Sequence, residues 1–256
     1  MKVVILAGGL GTRISEETIT KPKPMVEISG RPIIWHIMKC FSAQGFNEFI
    51  ICCGYKGIEI KKFFCNYRRY VSDITISLAT GEIEFHRDHS EDWKITLIET
   101  GSDTLTGGRL KRVAEYLNGQ PFIMTYGDGL CDVDISDLVS FHHGHGKKAT
   151  VTAVRPSGRF GSLALDKSSK VRGFHEKVEG AGSWINAGFF VLDPSCLDYI
   201  EHDYISWEVE PVQNLVTEDQ LMAYQHTGFW QPMDTLREKK ILENLWHDGC
   251  APWKLW

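Results

Sequence analysis

The sequence predicts an α/β fold: a mostly parallel, twisted sheet flanked by helices. Three observations carry that prediction. Short continuous apolar runs recur through the chain, as strands buried on both faces require. Segments with apolar residues at helical spacing separate them. The strongest glycine motif directly follows the first apolar run, where the strands of such a sheet end and ligands bind.

The elements follow in order. Val3 to Ala7 is the first buried strand, and Ile33 to Ala43 a helix stopped by Gly45. Glu48 to Cys53 is the next strand and Gly57 to Tyr67 the next helix. Lys94 to Glu99 is a strand, and Gly107 to Leu117 a helix with Leu110, Val113, Ala114 and Leu117 on one side. Phe122 to Tyr126 (strand), Ile135 to His143 (helix) and Ala149 to Val154 (strand) continue the alternation. The texture then changes. Ser162 to Leu165 and Val171 to Phe174 read as a small β-hairpin excursion. Ile185 to Leu192 returns to a buried strand, and Thr235 to His247 is a closing helix before the aromatic tail Trp253 to Trp256. The pattern is Rossmann-like. With no repeat, low-complexity tract or Pro/Ser-rich linker, the 256 residues read as one domain with insertions.

Composition excludes several classes. With 43% hydrophobic and 24% charged residues, general disorder is excluded. The net charge of −5 and pI near 6.1 argue against a nucleic-acid-coating protein. No apolar run reaches the ~18 residues of a membrane span, and the first run is too short for a signal-peptide core of ~7–15 residues. The seven cysteines form no C-x-x-C pair, so neither a zinc ribbon nor a disulfide framework is indicated. A soluble cytoplasmic protein is expected.

Leu6-Ala7-Gly8-Gly9-Leu10-Gly11-Thr12-Arg13 follows the first strand. Glycines let the chain turn tightly and let a phosphate reach peptide N–H groups, and Arg13 adds a charged fork for phosphate oxygens. The loop lacks the Lys-Ser/Thr ending of a P-loop. Ile14 stands where a dinucleotide fingerprint needs its third glycine, which disfavours a dehydrogenase. In Lys21-Pro22-Lys23-Pro24-Met25, prolines flanking Lys23 stiffen its mount. Thr106-Gly107-Gly108-Arg109 opens a helix, with Thr106 as the expected N-cap. Asp128 lies between two glycines at the end of a buried strand, suited to a hard cation such as Mg²⁺. Asp234 is the best distant partner carboxylate, its ordinary alternative being to cap the last helix. Glu176-Lys177 and Asn186 carry groups suited to sugar hydroxyls and a sugar phosphate. The histidines of Phe141-His142-His143-Gly144-His145 fall at a helix end, where basic residues are favoured, and read as structural rather than metal-binding.

Taken in this order, the motifs resemble those of the sugar-1-phosphate nucleotidyltransferases. The match runs through Gly8 to Arg13, Pro22 to Met25, Tyr126-Gly127-Asp128-Gly129, Glu176-Lys177, Asn186-Ala187-Gly188-Phe189 and Asp234. Ser15-Glu16-Glu17-Thr18, Met25-Val26-Glu27-Ile28, Cys52 to Gly57, Thr106 to Arg112 and Gly228 to Arg237 point to the cytidylyl-transferring branch. Thymidylyl- and uridylyl-transferring relatives usually carry Leu-x-Pro-x-Thr after the arginine; here the chain reads Ile14-Ser15-Glu16-Glu17-Thr18. Lys177-Val178 departs from the family's usual Lys-Pro.

The resemblance implies nucleotidyl transfer from CTP to α-D-glucose 1-phosphate, giving CDP-glucose and pyrophosphate. It implies Leu6 to Thr12, Arg13, Lys23, Thr104, Arg109 and Asp128 at the nucleotide, with Arg13, Lys23 and Asp128 catalytic. Gly129, Glu176, Lys177 and Asn186 would serve the sugar phosphate, and Asp128 and Asp234 would hold Mg²⁺. It also implies a homo-oligomer acting on small molecules, with no nucleic-acid or membrane partner. Residues 1–130 would form the nucleotide half and 131–256 the sugar-phosphate and oligomerisation half. The alternatives are dTTP, UTP or another sugar 1-phosphate as substrate, or a silent nucleotide-sugar-binding regulator.

Overall fold

The computed structural model describes residues 1–156, 162–165, 170–175 and 183–256. Its frame is a seven-stranded sheet. In chain order the strands are β1 (Lys2–Leu6), β2 (Glu48–Cys53), β3 (Lys94–Glu99), β4 (Phe122–Tyr126), β5 (Ala149–Val154), β6 (Ile185–Leu192) and β7 (Leu221–His226). In space they run β7-β5-β6-β4-β1-β2-β3. All neighbours are parallel except β6, which is antiparallel to both β4 and β5.

The first strand lies between β2 and β4, and Val3, Val4 and Ile5 are wholly buried. Successive side chains of a strand point to opposite faces. Val3 and Ile5 therefore join one core cluster with Ile33, Ile37, Phe41 and Ile51. Val4 and Leu6 join the other with Leu110, Met124, Phe190 and Trp207. Continuous apolar runs were legible because both faces of these strands are covered.

Helices cover the sheet. Ile33–Ser42, Gly57–Cys65, Ile135–His145 and Leu236–His247 begin where the periodicity places them, give or take a residue. The expected helix from Gly107 to Leu117 is two, Thr106–Arg112 and Ala114–Leu117, divided at buried Val113. The hairpin is present as Ser162–Leu165 paired antiparallel with Val171–His175. The helix Glu210–Thr217 and the edge strand β7 escaped the sequence reading: β7 mixes apolar and polar side chains, as edge strands do. Trp253 of the aromatic tail is fully buried, with its ring stacked on Phe229 at 5.5 Å between centroids.

The histidine-rich helix end behaves as a structural cap. Gly146 closes the helix in the left-handed conformation. His142 Nδ1 and His145 Nε2 both bond the Thr150 hydroxyl, at 2.8 and 2.7 Å. Cys40, Cys52, Cys53, Cys131 and Cys196 are buried free thiols, and burial pushes Cys53 up to about 11. They act as small core residues.

Burial holds His36 and His142 down at about 4, well below an exposed histidine. Both are therefore neutral in the fold at pH 7. Protonation favours the unfolded chain, so the stability present above about pH 6.5 is lost as the pH falls toward 4. The thermal midpoint should drop over that window, and His142→Gln should make the decline shallower. An unchanged pH profile in that variant would assign the acid sensitivity elsewhere.

Candidate functional site

A cavity of about 580 Å³ opens at the carboxyl ends of β1 and β4. The whole segment from Leu6 to Arg13 lines it, with Lys23, Thr104, Arg109 and Asp128. The structure thus brings together every residue expected on the nucleotide side. After Ala7, whose amide still bonds Cys52, the chain leaves the sheet. Among the described residues, the amides of Gly9, Leu10 and Gly11 have no intramolecular acceptor. Gly11 takes a left-handed φ of 66°, which turns the chain into Thr12–Ile14. Free N–H groups on a turning loop form an anion-binding concavity.

Not all the glycines serve a ligand. Arg109, 4% exposed, runs beneath the loop. Its Nη1 donates to the Thr100 hydroxyl at 2.7 Å and the Gly101 carbonyl at 2.8 Å, and its Nη2 to the Gly8 carbonyl at 3.1 Å. A Cβ on Gly8 would lie 2.1 Å from Nη1. One on Gly54 would lie 2.4 Å from it. These two glycines make room for the guanidinium, which pins the loop to the turn after β3. Burial is the main influence lowering the affinity of Arg109 for its proton, yet an arginine stays charged even so.

The expectation for Thr106 is corrected. It is the first helical residue, not the N-cap; Leu105 holds that position without a side-chain bond. The Thr106 hydroxyl donates to Glu208 at 2.6 Å and accepts from the Trp207 amide at 2.9 Å. Nor are the helix's first amides open to an anion: Gly107 and Gly108 donate to the Ile205 carbonyl. The two glycines let residues 203–207 approach, since a Cβ on Gly108 would meet Asp203 at 2.4 Å.

The charged centre sits at the mouth of the cavity. Lys23 lies in the turn Lys23–Met25, closed by Met25 N to Pro22 O at 2.8 Å. Its ammonium donates to Asp128 Oδ2 at 2.5 Å and Asp234 Oδ1 at 2.6 Å. Arg13 Nη1 reaches Asp234 Oδ2 at 2.6 Å. A short antiparallel ladder, Gly129–Cys131 with Trp230–Pro232, brings the two acids together. The Met233 amide closes it on the Asp128 carbonyl at 2.8 Å. Asp234 does not cap the last helix. Thr235 does, in a capping box with Glu238, which leaves the Asp234 carboxylate for the site.

This donor set fits a hard divalent cation. Two carboxylates from different segments converge on one positive charge, and the Lys23 ammonium stands where such a cation would be held. Mg²⁺ takes one or two carboxylates and completes its shell with phosphate oxygens and water. Among the described residues, one other grouping has metal-ligand chemistry: Cys131, Asp132 and His226. There His226 Nε2 is engaged with Asp132 at 2.9 Å.

A smaller recess of about 70 Å³ adjoins the centre, lined by Asp128, Gly129, Asn186 and Trp230 among others. Asn186 Oδ1 accepts from the Gly188 amide at 2.7 Å. Glu176 and Lys177 lie outside the described residues. Tyr126 lines both spaces and donates its hydroxyl to Glu208. Burial and that carboxylate push its phenol well above the usual range, so it stays neutral. Sequence reasoning assigned no role to Tyr126, Ser206 or Glu208. The last two lie in an irregular stretch with no motif, and only the tertiary fold delivers them to the site.

Residues 2–235 match the Nucleotidyl transferase family. The chain is 57% identical to glucose-1-phosphate cytidylyltransferase of Salmonella typhimurium, over all of both chains. It is 42% identical to the probable glucose-1-phosphate cytidylyltransferase of Bacillus subtilis, again over both full lengths. Its fold superimposes on HddC from Yersinia pseudotuberculosis, crystallised with GMP-PN, with a TM-score of 0.70 at 24% identity, covering 96% of this chain and 99% of that one. The chain belongs to the nucleotidyl transferase family.

The packing makes two neighbouring glycines differ. Gly8→Ala should cost about 1–3 kcal/mol by overpacking against Arg109. A Cβ on Gly9 meets nothing within 4 Å, so Gly9→Ala should stay within about 0.5 kcal/mol of the parent. Urea unfolding of both variants measures this; equal costs would remove the guanidinium from its place under Gly8.

Proposed function

We propose that this chain transfers a cytidylyl group from CTP to α-D-glucose 1-phosphate, releasing CDP-glucose and pyrophosphate. The observation that carries the proposal is the convergence of Lys23 and Arg13 on Asp128 and Asp234, beside a loop with free amides. The full-length relatives at 57% and 42% identity supply the choice of base and sugar.

A phosphate oxygen of the sugar phosphate attacks the α-phosphorus in line. The bond from that phosphorus to the bridging oxygen breaks, and pyrophosphate departs with the electron pair. Such a displacement needs positioning and charge neutralisation rather than a strong base. The Gly8 to Thr12 backbone, with Leu6 and Ala7 at its base, cradles the triphosphate, and Arg13 meets its outer oxygens. Lys23 neutralises charge gathering at the α-phosphate. Thr104 faces the nucleoside, and Arg109 holds that wall of the pocket. Asn186 and the Gly129 backbone, with Glu176 and Lys177, receive the sugar phosphate. Mg²⁺ held by Asp128 and Asp234 supplies further neutralisation of the phosphate oxygens when bound.

In this reading the chain is one nucleotidyltransferase domain, with residues 1–130 serving the nucleotide and 131–256 the sugar phosphate and self-association. CTP is a cytoplasmic metabolite, and no described helix is long and apolar enough to cross a membrane. In the same reading the enzyme is cytoplasmic, acts on small molecules and is a homo-oligomer.

Pyrophosphate release with CTP, Mg²⁺ and glucose 1-phosphate tests the reading. Release with dTTP or UTP but not CTP would reject the base and keep the family chemistry. Asp128→Asn should lose most activity at ordinary Mg²⁺ while the circular dichroism spectrum is retained; an undiminished rate would remove Asp128 from the site. Lys23→Ala should lower kcat by at least about 100-fold, more than it weakens CTP binding, because its charge matters most in the transition state. A change confined to KM would contradict that role.

A further inference from the structure

The two carboxylates assigned above to a divalent cation are already paired with the chain's own lysine. Lys23 is flanked in the chain by Pro22 and Pro24, and its side chain is only 10% exposed. Its ammonium spends two of its three donors on Asp128 Oδ2 and Asp234 Oδ1. A divalent cation bound by the same two carboxylates would meet a like charge within a few ångströms. Asp128 Oδ2 and Asp234 Oδ1 cannot serve both at once.

Resting on the metal reading of the proposed function, we infer that Lys23 is an internal competitor for the metal position. Its ammonium holds the acid pair until a nucleotide binds. A triphosphate offers that ammonium a stronger anion, and only then do the carboxylates become available to a divalent cation. Metal and nucleotide therefore enter together, and each raises the affinity for the other. Arg13 covers the second oxygen of Asp234, but its side chain is 71% exposed, so water screens it and it competes far less. The arrangement also explains the stiff mount. A lysine on a flexible loop would leave two like charges facing each other whenever it swung away, whereas one flanked by prolines offsets their repulsion until the substrate arrives.

The test uses Mn²⁺ alone, with no nucleotide, and counts bound metal from the loss of the free-ion electron paramagnetic resonance signal. Lys23→Met removes the charge and keeps the length, and should bind Mn²⁺ at least about tenfold more tightly than the parent. Lys23→Arg keeps the charge and should bind it as weakly as the parent. Circular dichroism establishes that each variant is folded. Equal affinity in the parent and Lys23→Met overturns the inference. So does micromolar Mn²⁺ binding by the parent alone, a result that stands even if Lys23→Met does not fold. Pyrophosphate release from CTP by the parent in excess EDTA would be a different failure: it would remove the metal reading itself.

Discussion

Two ionised carboxylates that face each other in a half-buried pocket repel unless a positive charge stands between them. Asp128 and Asp234 are brought together by the short ladder of Gly129–Cys131 with Trp230–Pro232, and their mutual repulsion has to be offset. Lys23 does this, with Arg13 on the outer oxygen. The rest of the site follows from that requirement. The prolines around Lys23 fix its backbone, and the capping box of Thr235 and Glu238 leaves Asp234 free of helix-capping work. The glycine loop places its amides beside the same charges.

A second constraint lies beneath the first. The Arg109 guanidinium is buried and bound to backbone carbonyls from the glycine loop and the turn after β3. It couples the ends of β1 and β3 across β2, so the cavity floor is set before any ligand arrives. Preorganisation of this kind is what an in-line displacement demands, because misplacement of the reacting groups forfeits much of the rate. The same residue lines the cavity.

Much of this was legible in the sequence, for physical reasons. Strands such as Lys2–Leu6 and Glu48–Cys53 are covered on both faces, so their apolar runs are unbroken. The helix Ile33–Ser42 is buried nearly all round, and only Lys39 and Ser42, about one turn apart, break its burial. The cavity's main residues were recognisable because glycine, proline and charged groups crowd the strand ends, where chain geometry concentrates them. What was hidden depends on long-range contacts. Thr106 looked like a cap, and nothing local reveals that Glu208 and Trp207 claim its hydroxyl. The glycines at 107 and 108 looked like an open helix entry, yet they admit a neighbouring backbone. β7 was missed because an edge strand lacks the apolar run that betrays a central one.

The most direct measurement is anomalous diffraction from crystals grown with CTP and Mn²⁺. The account predicts one metal peak between Asp128 and Asp234, the triphosphate along the Gly8 to Thr12 backbone, and the Lys23 ammonium moved from the carboxylates to a phosphate oxygen. A nucleotide bound elsewhere, or a metal bound to both carboxylates with Lys23 still seated between them, would contradict it.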